Sequence, residues 1–186
     1  MKLLKFDDYA QYNRIKYSPE HVEQNFYRMQ SMINPSEGDR FLFVTVNPED
    51  TKFDWYAANN SSNAFDFIIR KILWRRKGKY IRPYVGAIEK NDASGRYHFH
   101  GLVHLSDLKT QYSDDELHEL AEDIIFNLNE INREDQKGVD VQLFSFSETT
   151  RDYGQVLHYM VKSSSEFHDP LKFKVYSRNE QESYAH

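Results

Sequence analysis

The chain has 186 residues, 39% apolar and 28% charged, a composition that suits one globular domain with a real core. It has no cysteine, which excludes disulfides and thiolate metal sites, and its 24 Lys plus Arg against 29 Asp plus Glu leave a net charge of −5, the wrong sign for holding nucleic acid by bulk charge. No apolar run nears the roughly 18 residues of a membrane helix, and the N-terminal "MKLLKFDDYAQYNR" lacks the apolar centre of a secretory signal, so a cytoplasmic protein with no membrane partner is expected.

In chain order, residues 19–33 read as a helix entered through Ser18 and Pro19 and stopped by "NPSEGD" (34–39). "FLFVTV" (41–46) is a continuous β-prone run closed by Asn47-Pro48, the pattern of a strand buried on both faces. A helix of about four turns is expected between "NNSSN" and Gly78. Two strands follow, 81–89 and 96–105, joined as a hairpin through "KNDASG". "SDDELHELAEDIIFNLNEIN" (113–132) is an amphipathic helix with acidic residues in its first turn. "VDVQLFSF" (139–146) reads as a strand, 149–163 as a helix and "KFKVY" (172–176) as a short last strand, while the tail "SRNEQESYAH" (177–186) reads as flexible. This order implies one α+β domain over 1–186, an antiparallel sheet of about five strands carrying helices.

The stretch "GRYHFHGLVHL" (95–105) places three of the chain's eight histidines on one strand. Alternation puts Tyr97, Phe99, Gly101, Val103 and Leu105 on one face, read as core, and Arg96, His98, His100, Leu102 and His104 on the other, read as an open polar face. Imidazoles at i and i+2 are either two solvated or hydrogen-bonded histidines or, standing side by side, close enough to hold one metal ion. A six-residue loop would pair Glu89 with Arg96, Ala87 with His98 and Val85 with His100, setting Glu89 diagonal to His98 on the histidine face as a third ligand. An odd loop would turn Glu89 away and leave Asp92 in its stead. Two imidazoles and a carboxylate suit a site with open positions for a divalent metal, Mn²⁺ or Mg²⁺, and Zn²⁺ or Co²⁺ fit the same ligands. His104 reads as a neighbour or a partner to substrate.

"RDYGQVLHYMVKSSS" (151–165) carries the second constellation. On a helical wheel Tyr153, Val156, Leu157, Met160 and Val161 form one apolar stripe, and Asp152, Gln155, Tyr159 and Lys162 fall opposite. Tyr153 is therefore core, whereas Tyr159 stands roughly 130° from the stripe with Lys162 one turn on. A phenol beside an ammonium is either a solvated pair or a nucleophile whose anionic form the lysine favours.

Taken together, "FLFVTVNP" (41–48), "HFH" (98–100) with an upstream Glu, and "YMVK" (159–162) about 60 residues later resemble, in order and spacing, the three motifs of the HUH endonucleases, and within them the rolling-circle replication initiators (Rep proteins) of small circular replicons. The resemblance covers roughly residues 40–165 and leaves 1–40 as an N-terminal helical extension. It implies a ferredoxin/RRM-like fold with a central antiparallel sheet. It also implies metal bound by Glu89, His98 and His100, attack on a DNA phosphodiester by Tyr159, and a phosphate positioned or neutralised by Lys162. The product would be a 5′-phosphotyrosyl link and a free 3′-OH, which a returning 3′-OH could reseal. The implied partners are single-stranded DNA or an origin hairpin and a host replication helicase or polymerase, in a replicon- or virus-encoded protein. The second tyrosine of many members is replaced by Gln155, so the resemblance is to a one-tyrosine enzyme, and no G-x-x-x-x-G-K of a helicase occurs in the chain.

The basic stretch "RKILWRRKGKYIR" (70–82) supplies local DNA-binding candidates, Arg70, Lys71, Arg75, Arg76, Lys77, Lys79 and Arg82, which read either as phosphate contacts or as a solvated helix face. Asn47, at the end of the first motif strand, is a further DNA-binding candidate. Two alternatives stay open on the sequence: a single-tyrosine HUH transposase or mobilisation relaxase, and a non-catalytic RRM-like single-strand-binding module.

Overall fold

Strand β1 (Arg40–Val46) is built from the uninterrupted run "RFLFVTV" and is buried along almost its whole length, as a strand covered on both faces must be. A computed structural model describes residues 4–8, 19–33, 35–49, 51–59, 63–64, 67–68, 84–90, 94–105, 113–129, 139–147, 152–162 and 173–176. In it β1 pairs antiparallel with β3 (Tyr97–His104) on one side and β4 (Asp140–Ser145) on the other. Strand β2 (Tyr84–Lys90) joins the far side of β3, and the short β5 (Phe173–Tyr176) pairs with the outer edge of β2. The chain is thus α+β, with an antiparallel sheet carrying helices α1 (Pro19–Met32), α2 (Thr51–Asn59), α3 (Asp114–Asn129) and α4 (Asp152–Val161). Among the described residues no helix is long and apolar enough to cross a membrane.

Each sheet face owns a separate core. Leu42, Val44 and Val46 of β1, Ile88 of β2, and Phe99 and Val103 of β3 pack with Phe53 of α2 and with Leu117, Leu120, Ile124 and Leu128 of α3. The α3 positions recur at helical spacing and turn one stripe inward. Its first turn is fixed by a capping box: Glu116 Oε2 accepts from the Ser113 backbone N–H (2.8 Å) and hydroxyl (3.1 Å), and Ser113 Oγ accepts from the Glu116 N–H (3.3 Å). On the opposite face Phe41, Phe43, Ala87 and Leu102 pack with Val22, Phe26 and Met29 of α1 and with Tyr153, Leu157, Met160 and Val161 of α4. Burying each such large apolar side chain contributes about 1.5–3 kcal/mol.

Three expectations need correction. The histidine face of β3 is not open, because α1 and α4 cover it and leave His100, Leu102 and His104 buried. The hairpin register differs by one step along each strand: Glu89 stands directly opposite His98 and Ala87 opposite His100, with Lys90↔Tyr97 the last pair before the turn. The even shift keeps parity, so Glu89 stays on the histidine face. Finally, a helix forms over Thr51–Asn59, where none was expected, and its Asp54 Oδ1 accepts from the Tyr97 backbone N–H at 3.1 Å, tying α2 to the start of β3. Of the helix expected before Gly78, Asn63–Ala64 and Phe67–Ile68 are helical and the rest lies outside the described residues, as does the tail from 177.

Gly101 shows how closely β3 is packed. The Phe99 ring folds over it, and a Cβ there would lie 2.6 Å from Phe99 Cε1.

Candidate metal centre

Strands β2 and β3 bring the three expected ligands together at the end of their ladder. Glu89 Oε2 lies 3.3 Å from His98 Nε2 and 3.7 Å from His100 Nε2. One ligand atom from each of the three residues falls within 4.8 Å of the others, so the cluster could hold a metal ion. The donor set fits such an ion on a second count: His100 Nε2 is buried and has no hydrogen-bond partner, a costly state for a polar atom unless a ligand uses its lone pair. Burial, above all, lowers the His100 pKa to about 4, so the ring is neutral at neutral pH, the form in which imidazole binds metal.

Thr45, which no motif singles out, completes the support. It lies opposite His100 in the β1–β3 register, and its Oγ1 is 3.1 Å from His100 Nδ1. With the proton on Nδ1, that N–H donates to Thr45 Oγ1 and the Nε2 lone pair is left facing Glu89. Only the strand pairing makes this contact, so the sequence alone gave no signal for it.

Helix α4 brings Tyr159 to the same place. Its ring stands edge-on to the His100 ring at 5.0 Å between centroids and edge-on to Phe43 at 6.2 Å. Tyr159 is half-buried at the rim of the second core, so the expectation that it points away from packing is corrected: the side of the helix opposite the stripe leans over the sheet. Lys162 stands over the Tyr159 ring. Its Nζ lies 3.3 Å from the Tyr159 ring centroid and 3.2 Å from Glu89 Oε2, and the phenol pKa is raised, first by burial and then by the Glu89 charge. Tyr153 is core as expected, 2% exposed, and its hydroxyl has no hydrogen-bond partner. His158, on the same helix, is buried and stacks on Phe6 at 5.0 Å, a packing role that the wheel did not assign.

Two other candidates, His104 and Asn47, are not gathered here. His104 is 5% exposed, pairs with Asp39 at 2.8 Å and stacks on Phe41 at 4.7 Å, so it clasps the start of β1. Asn47 is half-buried just beyond β1 and outside the cluster. Arg70, Lys71, Arg75, Arg76, Lys77, Lys79 and Arg82 lie outside the described residues, and so does Asp92.

Beside Tyr159, between β1, β4 and α4, opens a groove of about 770 Å³. Its polar lining includes Thr45, Asp140, Gln142, Asp152 and Gln155, beside the rings of Phe43 and Phe144. Gln142 Nε2 donates to Asp140 Oδ2 at 2.6 Å, which leaves the Gln142 carbonyl as an acceptor. Two carboxylates make this lining hostile to phosphate and receptive to amino groups. No model of a known family matches the chain, and no curated protein matches it.

Proposed function

We propose that the protein is a metal-dependent endonuclease of the HUH type, with a ferredoxin/RRM-like fold, that nicks and rejoins single-stranded DNA through Tyr159 and so initiates rolling-circle replication. One observation carries the reading: the Glu89, His98 and His100 ligand set and the Tyr159–Lys162 pair, separate in sequence, meet within contact distance, with Lys162 Nζ 3.2 Å from Glu89 Oε2 and the Tyr159 and His100 rings 5.0 Å apart.

Glu89, His98 and His100 would hold Mn²⁺ or Mg²⁺, which when bound polarises a phosphate oxygen and offsets charge in the transition state. Tyr159 Oη attacks the phosphorus and loses its proton to solvent, the P–O3′ bond breaks, and the leaving 3′ oxygen takes up a proton. The 5′-phosphate stays on Tyr159. Attack by a 3′-OH on the phosphotyrosine reverses the sequence and reseals the strand without a nucleotide cofactor, since the number of phosphoester bonds is conserved. Thr45 orients His100, and Phe43 supports both His100, stacked at 6.0 Å, and Tyr159. The base flanking the cleaved phosphate suits the groove, where carboxylate and amide oxygens accept from exocyclic amino groups while repelling the backbone. Phosphate contacts fall to the basic stretch 70–82. Gln155 lines the groove where a second tyrosine would stand, in keeping with a one-tyrosine enzyme.

The test is incubation with single-stranded oligonucleotides and origin hairpins in Mn²⁺, followed by denaturing electrophoresis. A covalent protein–DNA band that needs Mn²⁺ and disappears in the His98→Ala/His100→Ala variant is expected. Binding without any covalent band across the oligonucleotide set would turn the reading to a non-catalytic single-strand-binding module.

A further inference from the structure

Lys162 directly follows the last residue of α4, and its side chain reaches back across the Tyr159 ring to the ligand set. Its ammonium donates to Glu89 Oε2 at 3.2 Å and to the Tyr159 carbonyl oxygen at 3.2 Å. That carboxylate oxygen is the same one that faces both imidazoles, 3.3 Å from His98 Nε2 and 3.7 Å from His100 Nε2. The Lys162 and Glu89 side chains are only 16% and 12% exposed, so solvent screens their charges weakly. A divalent cation on these ligands competes for the oxygen that already accepts from the ammonium, and it adds positive charge where the carboxylate's negative charge is already neutralised. Both cannot use Glu89 Oε2 at full strength. The lysine, on a long flexible stem at the helix end, can leave without moving α4.

We propose that Lys162 is the resident counter-ion of the ligand set, that a divalent cation displaces it from Glu89, and that the displaced ammonium is thereby delivered to the substrate phosphate beside Tyr159. The exchange rests on reading Glu89, His98 and His100 as metal ligands, and its last part on the nicking reaction. Because linkage is reciprocal, the free energy of the Lys162–Glu89 contact in the metal-free protein is subtracted from metal affinity. Lys162 therefore sets how much metal the site demands, in addition to whatever it does at the phosphate.

Two DNA-free measurements test this. Mn²⁺ binding followed by electron paramagnetic resonance should be roughly tenfold tighter in Lys162→Met than in the wild type, within the range of ordinary coupling energies. In the wild type, the Lys162 ε-methylene proton signal should start upfield, since it lies over the Tyr159 ring, and move towards its free position in step with Mg²⁺ saturation. Mn²⁺ affinity unchanged or weakened in Lys162→Met overturns the proposal, and so does an ε-methylene signal that stays upfield at saturation. Should that variant not fold, the wild-type signal decides alone. No Mn²⁺ binding by either protein overturns the ligand reading and the exchange together, whereas equal binding by both removes only the exchange.

Discussion

The two faces of the sheet are buried alike and differ in what they bury. The face under α2 and α3 buries an apolar cluster that runs from Leu42, Val44 and Val46 to Phe99 and Val103. The face under α1 and α4 encloses Thr45, Glu89, His98, His100 and His104 among its apolar residues, and leaves His100 Nε2, His98 Nδ1 and the Tyr153 hydroxyl without hydrogen-bond partners. Burial alone therefore does not separate scaffold from site. The difference lies in unspent hydrogen-bonding capacity, which a fold tolerates only where other interactions hold it.

That contrast can be broken from either side. The largest effect belongs to the dry face: Ile124→Ala should cost about 2–5 kcal/mol in urea unfolding yet leave Mn²⁺ affinity unchanged, and a parallel loss of affinity would mean that the faces are not independent. On the wet face the first lever is pH. The unfolded chain takes up protons on histidine below pH about 6.5, whereas His100 resists protonation down to about 4 and His158 is lowered too, both chiefly by burial. The metal-free protein should therefore lose stability as pH falls through this window, by up to about 1.4 kcal/mol per pH unit for each histidine. His100→Leu should lose part of that slope, and an identical slope in the variant would contradict the burial of that ring.

Thr45→Val should show the inverse of Ile124→Ala. Removing the acceptor 3.1 Å from His100 Nδ1 should cost only about 1 kcal/mol of stability while lowering Mn²⁺ affinity about tenfold or more by calorimetry. The smallest effect is expected at Tyr153→Phe, which deletes a buried hydroxyl that has no partner. Its melting temperature should be unchanged or slightly raised, and a clear drop would reveal a bond to that oxygen.

Much of this was legible in residue pattern. Parity on β3 separated Phe99 and Val103 from His98 and His100, and an even register kept Glu89 with them, although the pairing itself lies one step from the expected one. Parity says which side chains share a face but not what covers it, which is why the histidine face read as open. The wheel of α4 placed Tyr153 inward and Tyr159 opposite, but a residue opposite the stripe at a helix–sheet rim can lean over the sheet, as the contacts of Tyr159 with His100 and Phe43 show. Helix α2 was missed because "TKFDWYAAN" is short, carries two adjacent aromatics and follows a proline, and is held partly by Asp54 bonding to β3. Thr45 and Asp39 gain their histidine partners through contacts 55 and 65 residues apart, beyond the reach of any local pattern.

Tyr159 as the nucleophile is tested most directly by mass spectrometry of protease-digested covalent adduct, formed with Mn²⁺ and a cleavable single strand, in the wild type and in Tyr159→Phe. The expected result is a nucleotide on the peptide containing Tyr159 in the wild type, and no adduct in a Tyr159→Phe variant that melts at nearly the wild-type temperature. A nucleotide on Tyr153, or adduct persisting in Tyr159→Phe, would contradict it.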